Sequence, residues 1–294
     1  MAGTRAIGRD VHFYLFSEPD KPLGGMILSP SVTEKSFLSM LGILIVASGR
    51  YRVTLRSTGI DLMPTDHPLK PGHYDIRPYS PGDTISITDA PCVTRILSRT
   101  ITGRDDIFQA RVRERDGKCV ITGTVNLRAQ VDNWRGFETA HIFPISGEEY
   151  FVQNGFSRWI TNRMGDHDPG INSCQNGLLM LSHIHQCFDG FDFSVNPDDG
   201  YKITSFDGDT FGIDGKVLDP ICRDHNSEAG ASDELLRWHF RQSVLANMRG
   251  AGEPSFEMDF PPGTDMMGEI LSGPEPAKRM EAELFSRLNG VSFA

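Results

Sequence analysis

The sequence predicts an α+β protein with a β-rich N-terminal domain, a middle segment of strands and helix, and a helical C-terminal region. Three observations predict it. Short β-branched and aromatic runs, cut by Pro/Gly turns, fill the first hundred residues. Two apolar segments that carry histidines, 137–146 and 176–190, read as strand and as strand running into helix. Beyond residue 231 the apolar residues recur at helical spacing.

In chain order, "VHFYLF" (11–16), "YRVTLRS" (51–57) and "TISIT" (84–88) predict strands, separated by "SEPDKPLGG", "PTDHPLKPG" and "SPGD". The run "EKSFLSMLGILIVASG" (34–49) fits a short helix feeding a strand. "DDIFQARVRERDG" (105–117) predicts a helix capped by Asp105 or Asp106, with Ile107, Phe108 and Val112 on one side and Gly117 ending it. "KCVITG" (118–123) and "TAHIFPI" (139–145) predict strands, with loop between them at 134–138. Residues 148–164 are helical in part, and 165–177 are loop. "LLMLSHIHQCFDG" (178–190) predicts a strand and then a helix that Gly190 stops. "FDFSVNPDDGYKITSF" (191–206) predicts a hairpin around "NPDDG". Two tail helices follow. One spans 232–250, with Ser232 as N-cap and Leu236, Phe240 and Val244 along one stripe; the other spans 275–288 and is either a packing element or a homodimer contact. The expected division is 1–104, 105–206 with an insertion at 147–175, and an acidic region over 207–294.

Composition narrows the function. The longest apolar run, "MLGILIVA" (40–47), is far short of a membrane span, and "MAGTRAIGRD" has no apolar leader core. Five cysteines (Cys92, Cys119, Cys174, Cys187, Cys222) with no C-x-x-C pair indicate neither a disulfide framework nor a zinc ribbon. An intracellular protein, cytoplasmic or nuclear, is expected, with no membrane partner. The net charge of −10 is concentrated after residue 206, so any nucleic-acid contact must come from a local basic patch.

The chemistry gathers at His141, Asn176, His185 and Asp189. His185 and Asp189 are i and i+4 on a helix, so both leave one face, as two ligands of a divalent ion would. His141 closes a strand just before Pro144, and a strand–loop–helix path can bring it opposite that face. A neutral imidazole there can take a proton from water while an ion stabilises charge on a phosphate oxygen. Asn176 can fix the loop through side-chain to backbone hydrogen bonds. Three other features carry less. His183 points elsewhere on the helix, Cys119 and Cys187 read as small buried hydrophobes, and "CRDH" (222–225) has no second metal-ligand pair.

Together "KCVITGT", "ETAHIFP" and "NGLLMLSHIHQCFDGFDFSV" resemble an HNH-type nuclease domain, in the variant reading C-x-x-T-G, A-H-I-x-P, N-G-L-x-L and H-x-x-F-D. The organisation also resembles filamentous-fungal proteins with this domain after a β-rich region. The resemblance covers roughly residues 111–206 and implies a ββα-metal fold. It implies His141 as general base, Asn176 as loop-fixing residue, a catalytic role for His185, and His185 with Asp189 as ligands of Mg2+, Mn2+ or Zn2+. Two departures matter. Many relatives place a metal ligand directly before the general base, where this chain has Ala140, so the ion becomes optional. The insertion also carries Tyr150, Phe151, Phe156, Arg158 and Trp159, aromatic enough for a pocket wall. Three functions follow: a metal-dependent phosphodiesterase on nucleic acid, an acid/base enzyme of biosynthesis on a small molecule, or a non-catalytic interaction module.

Overall fold

The computed structural model describes residues 4–93, 103–163, 168–224, 227–252 and 267. Strands and helices occur side by side in an α+β arrangement. The N-terminal part is built on β1 (Val11–Leu15), β2 (Pro22–Met26), α1 (Glu34–Leu44), β3 (Ile45–Ala47), β4 (Tyr51–Leu55), β5 (Ile60–Asp61), β6 (Gly72–Pro78) and β7 (Ile85–Ile87). Five of these strands form a sheet in the order β2-β1-β6-β4-β5, in which only β1 and β6 run parallel. Strand alternation turns Val11, Phe13, Val53, Leu55, Tyr74 and Ile76 to one face, where they pack on Phe37, Met40, Leu41 and Leu44 of α1. Thr33 and Ser36 cap α1 reciprocally.

One of these strands falls where the sequence reads as turn, and another where it carries no strand signal. β2 is written "PLGGM", but its glycines serve proximity: a Cβ at Gly24 would lie 2.0 Å from the Met248 carbonyl oxygen. β6 begins at a glycine with φ +143°, beyond the "HPLKPG" punctuation, and becomes the central strand through its two neighbours rather than its own pattern.

The middle of the chain holds α2 (Gly103–Asp116), β8 (Phe137–His141), α3 (Glu148–Gln153), β9 (Gly177–Leu181), α4 (Ser182–Asp189), β10 (Phe193–Asn196) and β11 (Lys202–Ser205). α2 starts earlier than its sequence signal, so Asp105 and Asp106 lie inside the first turn rather than ahead of it; Gly117, at φ +61°, ends it as expected. Residues 118–123 form no strand. They make a knuckle in which the Cys119 amide donates to Thr124 O and the Gly123 amide to Cys119 O. The hairpin around "NPDDG" is present, with Gly200 left-handed.

α5 (Asp233–Met248) follows Ser232, whose hydroxyl donates to Glu234 rather than accepting a helix amide. Its first turns (Leu235, Leu236, Trp238) sit in the core beneath β8 and β9. Its last turns (Phe240, Val244, Leu245, Met248) sit in the core beneath the N-terminal sheet. One helix thus joins both cores. The expected helix at 275–288 lies outside the described residues. Among the described residues no helix is long and apolar enough to cross a membrane.

The end of α2 is fixed by a buried ion pair. Arg115 Nε donates to Asp116 Oδ1 at 2.6 Å, with the two side chains 7% and 0% exposed. A second donor reaches Asp116 Oδ2 at 2.9 Å and the others reach carbonyls at Cys174 and Ala229, both 2.8 Å, and at Gly177, 2.7 Å, while Asp116 accepts the Leu179 amide at 2.8 Å. Removing one partner leaves the other charge buried and uncompensated, at a cost of about 3–5 kcal/mol. Asp116→Ala is therefore expected to lower unfolding stability by that amount in urea titration. Arg237→Ala, which breaks the exposed pair with Asp198, should change it by under about 1 kcal/mol. Equal losses in the two variants would contradict this account.

Candidate active site

β8 and β9 form a two-stranded antiparallel ribbon that runs from Phe137 opposite Leu181 to His141 opposite Gly177. Period-two alternation divides its side chains between two faces. Leu179 joins Phe108 and Val112 of α2 in one apolar cluster, against which Phe137 packs. Ala140, Leu178 and Met180 join Ile184 and Phe188 of α4 in the larger core. His141 shares the α2 face with Thr139 and Phe137; Glu138 shares the α4 face with Ala140.

Asn176 holds the chain beyond His141. Fully buried, it donates from Nδ2 to Phe143 O at 3.0 Å and Ile171 O at 2.8 Å, and accepts the Phe143 amide at 2.7 Å. Its own carbonyl accepts the Ile142 amide at 2.9 Å. Four bonds in a dry setting fix the backbone on both sides of Ile142, and so the exit of His141 from the strand.

The His141 ring is half-buried. It stacks on Phe108, with ring centroids 4.0 Å apart and planes 11° apart, and its Nε2 lies 3.1 Å from Asn172 Oδ1. Gly177 permits the stack, because a Cβ there would come 2.6 Å from the Phe108 ring. An amide oxygen only accepts, so in this contact Nε2 carries a proton.

His185 is held differently. Nδ1–H donates to Glu138 Oε2 at 2.8 Å and Nε2–H to Asp189 Oδ2 at 3.1 Å. Burial lowers its basicity, but bonds to Asp189 and Glu138 outweigh that and push its pKa up to about 9. At neutral pH it is an imidazolium between two carboxylates.

The expected convergence of His141 with the His185/Asp189 couple is not what the ribbon delivers. The expectation followed loop connectivity; strand alternation sets the outcome, sending the two histidines to opposite faces. The insertion likewise does not wall His141: Phe151 in the core and Phe156 at its edge meet Phe143 edge to face. Arg163 spends its guanidinium on the carbonyls of Ile160 and Ser157, and Arg158 lies over Trp159. His183 packs against Phe211. Three contributors had escaped sequence reading: Phe108 as a ring support, Asn172 and Glu138. For Glu138 a signal existed, since it lies on the opposite face from His141 and shares that face with the alanine of A-H-I-x-P.

Residues 119–196 match a family model described as HNH endonuclease, and residues 8–83 match one described as Domain of unknown function (DUF8573). The ribbon and α4 thus lie within the stretch that is similar to HNH endonucleases. No curated protein and no solved structure matches the chain.

Such a domain implies a divalent ion. The donor set at α4 does not fit one. Both nitrogens of His185 carry protons directed at carboxylates, and Glu138 and Asp189 lie at opposite ends of the ring, so the three cannot share one ion in this arrangement. Among the described residues no group of three or more His, Cys, Asp or Glu side chains could hold a metal.

Two outcomes are expected. Asn176→Ala leaves one amide and two carbonyls buried without partners. At about 1–3 kcal/mol for each such group, it should cost at least about 3 kcal/mol in urea unfolding. A loss under about 1 kcal/mol would show that the loop is held elsewhere. Because the folded-state pKa of His185 is raised from 6.5 to about 9, its stabilisation is complete below the unfolded value and lost as pH climbs through the folded one. Unfolding midpoints should therefore fall between about pH 6.5 and about pH 9 in the native chain, and this decline should disappear in His185→Gln. An identical decline in both chains would remove His185 as its source.

Proposed function

We propose that the ribbon and its flanking helices form a nuclease-like phosphodiesterase centre with His141 as general base. One observation carries the reading: an imidazole at a strand end, backed by Phe108, with its Nε2 against Asn172 and its backbone held by Asn176. In the reaction a water oxygen bonds to phosphorus as the bond to the leaving oxygen breaks. The water proton passes to the His141 imidazole, and the leaving oxygen takes a proton from solvent. Arg111 is exposed, lies one turn beyond Phe108 on α2 and touches Asn162 Oδ1 at 3.4 Å; we assign it to the scissile phosphate. Asn176 is a positioning residue. We assign Glu138, His185 and Asp189 to holding α4 on β8, and route no step through an ion.

A second reading is favoured by a polar pocket of about 320 Å3 lined by Trp159, Thr161, Gln175, Asp224, Glu228 and Asp233. Its acidic wall suits a cationic small molecule rather than a phosphate, which fits an acid/base enzyme outside nucleic-acid chemistry.

The test is nicking of supercoiled plasmid by purified protein, with Mg2+, Mn2+, Zn2+ or chelator. His141→Ala should reduce the rate by about 10²–10⁴-fold, with unfolding stability retained. Plasmid left intact under every condition would reject the nuclease reading, and an active His141→Ala chain would reject the residue assignment.

A further inference from the structure

The five-stranded sheet has one face in the core; on the other, Tyr14, Thr54 and Asp75 are buried while Phe16, Arg52, His73 and Tyr79 are exposed. That outer face carries His12 and Tyr14 of β1, Arg52 and Thr54 of β4, and His73, Asp75 and Arg77 of β6, with Phe16, Arg50, Arg56 and Tyr79 at the strand ends. Guanidinium groups lie over its rings. Arg77 is 3.3 Å from the Phe16 centroid, Arg56 is 4.3 Å from that of Tyr14, and Arg50 and Arg52 are 5.6 and 6.0 Å from that of Tyr79. Two of the rings remain open to solvent, with Phe16 50% and Tyr79 59% exposed.

The carboxylates on this face are already engaged. Asp75 holds Arg56 at 2.6 Å, and Asp61 accepts from Thr54 Oγ1 at 2.6 Å and faces Arg52 at 3.5 Å. Arg50 and Arg77 have no carboxylate partner among the described residues. The Arg77 Nε is a buried donor without a hydrogen-bond partner, and the same residue lines a cavity of about 420 Å3 with Phe16, Thr54, Arg56 and Asp75. A chain of net charge −10 thus presents a face with uncompensated arginines beside exposed rings.

We propose that this outer sheet face binds single-stranded nucleic acid. Bases stack on open rings and on guanidinium planes, and phosphates take the two uncompensated arginines. An acidic peptide would satisfy the charges but leave the rings unused. A duplex hides its base faces and would meet only the arginines. The site is separate from the ribbon and does not depend on catalysis there.

The test is fluorescence anisotropy of a labelled oligodeoxynucleotide of about 12 residues, with the full-length His141→Ala chain in chelator so that nothing is cut. Phe16→Ala and Tyr79→Ala, both at exposed positions, should each weaken binding roughly five- to a hundred-fold. Arg77→Ala should flatten the dependence of log affinity on log salt by about 0.7. Unlabelled single strand should compete and a duplex of the same length should not. The proposal is overturned by absence of binding at low salt, by unchanged affinity in the ring variants, or by equal competition from duplex. Binding that appears only after residues 253–294 are removed would assign the face to that acidic segment and overturn it too. If His141→Ala nicks plasmid normally while this binding stands, the catalytic reading fails alone.

Discussion

The buried pair of Arg115 and Asp116 is the constraint on which the site depends. Neighbouring residues on a helix point apart; these two meet because the helix stops at Asp116. From that point Arg115 reaches the carbonyls of Cys174, Gly177 and Ala229, and Asp116 takes the Leu179 amide. Three separate stretches of chain, the end of α2, residues 174–179 and Ala229, are therefore referred to one charge pair. The consequence at a distance is the place of Phe108, two turns back along α2, over the ring of His141. A purely apolar contact between α2 and β9 would tolerate sliding. A pair with several satisfied hydrogen bonds defines one position, which is the use of a buried charge that stability alone does not explain.

Strand alternation then divides the labour. The α2 face of the ribbon presents an imidazole stacked on Phe108 with Nε2 against Asn172 Oδ1. The α4 face presents an imidazolium whose two protons are already committed to Glu138 and Asp189. The residue type is the same and the surroundings differ: an amide oxygen lies beside His141 Nε2, and carboxylates flank both nitrogens of His185. Ala140, the departure that made an ion optional on sequence grounds, is wholly buried on the α4 face and packs where a liganding side chain would project.

Much of this was legible beforehand, for identifiable reasons. Local signals located α1, α4, α5 and the β10–β11 hairpin, because caps, glycines and apolar spacing act over a few residues. They also placed Asn176 as a loop-fixing residue by chemistry alone. What escaped depends on distant partners. β2 is glycine-rich because α5 comes close, and β6 is a strand because β1 and β4 flank it. Asn172 and Phe108 matter through contacts with a residue more than thirty positions away, which spacing does not encode. The facing of the two histidines was misread because connectivity was weighed ahead of the two-residue period of β8.

α5 supplies the last step. Its early turns lie under the ribbon and its late turns under the N-terminal sheet, so the two regions matched by separate family models are packed on one rod. Arg5 strengthens the tie by donating to Asn247 near the helix end, 2.7 Å, and to the Gly190 carbonyl behind α4, 2.7 Å. His239 does so from within: buried in α5, it contacts Ser194 of β10 at 2.7 Å and the Phe188 carbonyl of α4 at 3.1 Å. With polar bonds at both ends of the helix and apolar contacts between, independent movement of the regions would expose buried polar groups as well as core surface. The N-terminal sheet and the ribbon are therefore held in a fixed relation.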